Sequence, residues 1–138
     1  MNYDAVQKLV ETHLQDEWTA TAIQFENQPF NSDMYVEYLR STLQFGDSVL
    51  RSLGTRCFRT IGILFLDFFV RPGVGSHRLA ELARIAAGLY SGVTLNPAVL
   101  GESPNVVFLE PSLSKDYAER TGWVSAQLRL SFYFDTEE

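Results

Sequence analysis

The stretch RPGVGSHR, residues 71–78, is where this sequence comes closest to a reactive site. A glycine loop between a strand and a helix is how many proteins hold phosphate, because the free N–H groups at a helix start attract anions. A Walker-type loop requires Lys and then Ser or Thr after the second glycine, so that an ammonium reaches the phosphates and a hydroxyl holds magnesium. Here Ser76, His77 and Arg78 follow Gly75. A dinucleotide loop requires a third glycine and an acid near the end of the next strand, and neither is evident. The stretch reads instead as a structural turn. Pro72 ends the strand's hydrogen bonding, Gly73 and Gly75 permit positive φ, and Ser76 caps the helix that follows.

The other reactive side chains are scattered. His13 and His77 stand alone, without the HxH or HExxH spacing that would place two imidazoles on one metal. His13 reads as a boundary residue of a helix, with Asp16 and Glu17 nearby. His77 lies at a helix start, where the dipole disfavours its charged form. Cys57 is the one cysteine, so there is no internal disulfide and no multi-cysteine metal site. It has no histidine near it in sequence and reads as a buried, inert thiol. The acid pairs Asp16–Glu17 and Glu137–Glu138 read as solvated surface or tail, and no Gly-x-Ser-x-Gly motif occurs. The expectation is no catalytic residue, no cofactor site and no metal site, hence no enzyme.

Elements must then be read for their own sake. The chain has 138 residues, the size of one domain, and 46% hydrophobic residues suffice for a real core. The net charge of −6, with 11 scattered basic residues, argues against broad nucleic-acid binding. Met1 leads straight into polar sequence, which reads as no signal peptide. The most apolar run, IGILFLDFFV, is too short for a membrane-spanning helix and contains Asp67.

Val6, Leu9, Val10, Leu14 and Trp18 recur at helical spacing, which predicts a helix over 3–17. TAIQFEN predicts a short strand, and residues 36–45 a half-exposed one. GDSVLRSLGT, 46–55, reads as a loop whose apolar residues fold back onto the domain or meet a partner. Residues 56–70 predict the longest strand, basic at its start and apolar on both faces from Ile61 onward except for Asp67. Such a strand must be covered on both faces, by helices or by another subunit. Leu79, Leu82, Ala83, Ala86, Leu89 and Tyr90 predict a helix over 76–91 with a stop near Gly92. VVFLEPSL predicts a strand broken by Pro111 at a sheet edge, and SKDYAERTG a polar connector. Residues 123–134 alternate most regularly of all. The fold expected is α+β: a mainly antiparallel or mixed β-sheet with two helices packed on one face.

The ordered pieces together resemble the tail-terminator proteins of long-tailed bacteriophages. They are the N-terminal helix YDAVQKLVETHL, then IQFENQPF with Asn27, Pro29 and Phe30, then the strand ending at Gly46 and Asp47. The most telling is LGTRCFRTIGILFLDFFVRPGVGSHRLAELA, followed by the closing strand GWVSAQLRLSFYF. The resemblance spans nearly the whole chain, 1–138, as one tail-terminator-like domain. It implies a structural virion protein that caps the tail tube as a ring, usually of six copies, and offers the surface for joining the head. Implied partners are other copies of itself, the tail tube protein and a head-completion or neck protein. DNA would only pass through the lumen, and no membrane is involved. The implied location is the virion tail, or the host cytoplasm during assembly, and a prophage-encoded gene fits as well. A small α+β adaptor without a virion role is the alternative. The ring contacts expected are Val49, Leu50 and Leu53 in the 46–55 loop, Arg56 and Phe58 at the basic strand start, and Phe30 in the 28–34 connector.

Overall fold

The computed structural model describes residues 3–26, 28–52, 57–73, 76–97, 103–120 and 122–137. Helix α1 spans Tyr3–Glu17 and buries Val6, Val10 and Leu14, which recur every four residues along one face. Asp4 sits in its first turn, where the helix dipole favours a carboxylate. A short strand β1, Ala22–Gln24, comes next, then a single 3-10 turn at Ser32–Met34. The long strands β2, Glu37–Ser52, and β3, Cys57–Val70, form a hairpin. Helix α2, Ser76–Tyr90, leads to the two-residue strand β4, Thr94–Leu95. A second hairpin, β5 Val106–Arg120 and β6 Trp123–Glu137, completes the chain.

The six strands form one mixed sheet in the order β1-β2-β3-β6-β5-β4. Among the described residues only the β1–β2 pairing is parallel. The alternation in β3 and β6 fixes the faces. Leu64, Leu66 and Phe68 of β3 and Leu128, Leu130 and Phe132 of β6 point to the helix side, where they share one buried cluster with α1 and α2. In α2 the stripe is Leu79, Leu82, Ala83, Ala86 and Tyr90, the last donating its hydroxyl to the Val10 carbonyl at 3.3 Å. The α+β reading with both helices on one face holds.

Four expectations need correction. Residues 46–52 are not a loop: β2 runs through them to Ser52. The pairing passes from Phe45–Gly62 to Ser48–Thr60, and from Leu50–Phe58 to Ser52–Cys57. Each step takes one extra residue on β2, so two bulges break the period of two that sequence reading depends on. Residues 114–120 are not a connector either, because β5 extends to Arg120 and pairs with β6 up to Trp123. Pro111 does not break this strand. It sits beside a bulge between Phe108 and Pro111, and among the described residues β4 covers the outer edge of β5 only at Val106 and Val107. A proline and polar sequence are what an open edge tolerates. Finally, Cys57 is half-exposed at the start of β3 rather than buried.

Candidate assembly surfaces

The stretch read from sequence as a structural turn lies between β3 and α2. Gly73 has φ +91°, which only glycine adopts without strain, and α2 begins at Ser76. Gly75 lies outside the described residues, so its φ stays an expectation, as does the cap by the Ser76 side chain. The nearest cation is already committed. Arg78 donates to Glu37 at 2.5 and 3.0 Å and to Glu81 at 3.1 Å, tying α2 to β2. The two histidines are not brought together. His13 meets the Leu89 carbonyl at 3.0 Å and the Tyr90 ring. His77 is exposed at the opposite end of α2, roughly 18 Å away at 1.5 Å per residue. Among the described residues no three His, Cys, Asp or Glu side chains could share a metal.

The distinctive surface is the sheet face opposite the helices. Cα register places Arg40 of β2, Asp67 of β3 and Gln127 of β6 in one row across it. Arg40 donates to Asp67 at 3.3 Å and Gln127 to Asp67 at 3.0 Å. Beyond this row β3 itself is apolar on this face, with Phe65 and Ile63 half-buried between polar neighbours on β2 and β6, and Ile61 52% exposed beside Tyr133. Then comes an ionic row. Asp135 accepts from Arg59 at 2.9 Å and from Arg51 at 2.7 Å, while the Arg59 guanidinium lies over the Tyr133 ring at 4.0 Å. The far end of this face is closed by an aromatic cluster of Tyr38, Phe69 and Trp123 with Phe30 packed on it. Arg71 lies 3.7 Å over the Trp123 ring.

Asp135 has a consequence for stability. The Arg59 hydrogen bond, with the charges of Arg59 and Arg51, holds its carboxyl below the ordinary carboxylate value. The folded chain therefore takes up this proton less readily than the unfolded one. The resulting stability is complete above the unfolded value, about pH 4, and is lost as pH falls through the depressed folded value. Urea midpoints taken from about pH 5 down to about pH 2.5 should fall less steeply for Asp135→Asn than for the parent. Equal slopes would show that the row adds no acid-sensitive stability.

The expected ring contacts fall in two places. Leu50 pairs with Phe58 across the β2–β3 hairpin, so the two patches anticipated from sequence are one. The faces of this hairpin differ. Val49, 59% exposed, pairs with Arg59 on the helix-free side. Leu50, 47% exposed, and Phe58 lie on the helix side, two residues along β6 beyond Phe134, where Tyr3 of α1 makes its ring contacts. Phe30 is occupied within the chain, stacked on Tyr35 and tilted against Tyr38, both at 5.0 Å. Leu53 and Arg56 lie outside the described residues.

The family model described as phage tail terminator protein matches residues 5–131, from the first helix into the last strand. The chain belongs to the phage tail terminator family. That makes it a structural component of a phage tail, in a family that is not one of enzymes. No curated protein sequence matches this terminator chain. Among 24 matching chains of solved structures, one superposes with a TM-score of 0.76 at 16% identity, covering 97% of this chain and 96% of its own. It shares the fold of the terminator across both layers. No helix among the described residues is long and apolar enough to cross a membrane. Sequence reading missed Ile61, Tyr133, Arg129 and Asp135 as surface candidates. The available signal was β3 itself, apolar on both faces with helices for only one.

Proposed function

We propose that this terminator closes the finished tail tube as a ring, of six copies, and presents the surface to which the head is joined. It works in the virion tail and, during assembly, in the host cytoplasm. Its partners are further copies of itself, the tail tube protein and a head-completion or neck protein, while DNA passes through the lumen. The chain has the size of one domain, and the reading treats it as one. The observation that carries the reading is the family match across 127 of the 138 residues, 5–131. The surface is compatible with it. Val49, Leu50 and Ile61 expose large apolar side chains around one hairpin, and clustered apolar exposure marks association sites.

Val49, Leu50 and Phe58 are proposed ring contacts, with Leu53 and Arg56 carried along as their chain neighbours. Phe30 is proposed as a support for the aromatic end of that surface. Leu50→Asp places a charge where the subunit leaves the side chain half in water, so the fold should persist. The expected result is an unchanged circular dichroism spectrum, loss of rings by light scattering, and tails that remain unfinished in electron micrographs. An unfolded variant, or a folded one that still closes tails, would remove Leu50 from the interface.

A further inference from the structure

A closed ring is a head-to-tail contact, so each copy must offer two different patches that fit each other. This inference rests on the ring reading above and asks which patches they are. The charges of the described residues are segregated. The helix-free sheet face carries Arg40, Arg51, Arg59, Arg71 and Arg129, with Asp67 and Asp135 among them. Helix α1, on the opposite side of the molecule, carries Asp4, Glu11, Asp16 and Glu17 against the lone cation Lys8. Helix α2 lacks this bias, with Arg78 and Arg84 against Glu81. Five of the chain's nine arginines thus lie on one face, while α1, which faces away, carries four acids to one lysine.

Each side also carries apolar surface. Ile61, Ile63 and Phe65 form an apolar strip down the middle of the arginine face, and three of its guanidinium groups lie over aromatic rings. An apolar centre within an arginine-rich border is the anatomy of a protein interface rather than of a phosphate-backbone track. On the other side, two grooves flank the α1 ridge. One, about 680 Å³, has Ile23, Phe25 and Pro29 in its wall, and one of about 470 Å³ has Ala5, Leu9 and Pro97. We propose that neighbouring copies in the ring join the helix-free sheet face of one to the α1 side of the next. Because the faces point in opposite directions within one copy, they cannot satisfy each other internally. Val49 then belongs to the first patch, and Leu50 and Phe58, past the start of α1, to the second. The hairpin end enters both contacts.

The test uses the full chain, alone and mixed with tail tube protein, with ring content read by light scattering. Arg129 donates to Gln127 at the surface, so Arg129→Glu should leave the fold intact. Ile61→Asp is a second variant, on the apolar strip. Each should weaken assembly by roughly tenfold or more, and the parent ring should weaken as salt rises. Reversing the partner charges with Asp4→Lys and Glu11→Lys should recover assembly in the Arg129→Glu background. Should the parent form rings and both folded variants do so equally, or the reversal recover nothing, the pairing is wrong while the ring reading stands. A parent that forms no ring in any mixture defeats both. Retained rings with loss of duplex DNA binding in Arg129→Glu would assign the arginine face to nucleic acid and overturn the proposal.

Discussion

Gly62→Ala should lower the melting temperature, although on propensity alone alanine improves a strand. A Cβ at Gly62 would overlap the Phe132 ring and approach the Gln44 carbonyl oxygen to 2.9 Å. Neither neighbour can yield easily. Gln44 is backbone-paired to β3, and Phe132 is fully buried among Phe45, Phe108 and Phe134 at 5.3–6.4 Å between ring centres. Removing glycine's unfolded-state freedom gains at most about 1 kcal/mol. Forcing one carbon into a full core costs about 1–3 kcal/mol. With a cost at the upper figure the net loss should be about 2 kcal/mol, and at roughly 4 °C per kcal/mol the shift is easily measured. Phe132→Leu costs stability alone but should cost less, or even help, beside Gly62→Ala, since it vacates the contested space. Additive effects in this cycle would show that the ring and the glycine do not share that space.

That pair marks where the sequence became opaque. Gly62 was visible only as a strand glycine, and nothing in the alternation said which side chain would lie across it. The elements themselves were legible where local pattern and burial agree. Val6, Val10 and Leu14 define α1, and Val124 to Phe134 define β6 by strict alternation. The turn at Gly73 followed from steric demands alone. Reading failed where geometry shifts the period. The bulges after Phe45 and Leu50 hid the second half of β2, and the open edge of β5 let polar residues fill a strand. The strand order was not legible either, because pairing β3 with β6 joins segments about 65 residues apart in sequence. The candidate surface was half legible. The exposed apolar residues Val49 and Leu50 were found, but assigned to a loop. The arginine face was not, because Arg40, Arg59, Arg71 and Arg129 are strangers in sequence and meet only through register. Phe30 was assigned to the ring contacts for the same reason, because it meets Tyr38 only in the folded chain.

Trp123→Ala should be the most damaging change outside the helix-side core. Trp123 is 7% exposed, meets Tyr38 edge-on at 5.0 Å and supports Arg71 at 3.7 Å. Truncating a buried aromatic costs about 3–5 kcal/mol, and the lower end applies here because the cluster opens onto solvent at Phe30. The cation–π contact is the smaller part, about 0.5–2 kcal/mol. Arg71→Ala should therefore cost clearly less than Trp123→Ala, although both remove the same contact. The two differ in reach. Arg71 also donates to the carbonyls of Tyr35 and Gly122 at 3.4 and 3.5 Å, so it links the 28–36 segment to the β5–β6 turn. Hydrogen exchange in Trp123→Ala should speed up at residues 28–38 and 69–73 first, while amides of the α1 side, such as Val10 and Leu130, keep most of their protection. Trp123→Phe retains the ring contact with Tyr38 and should recover at least half of the loss. A Trp123→Ala chain within 1 kcal/mol of the parent, or exchange that rises evenly across both layers, would mean that this cluster is not a separate support for the arginine face.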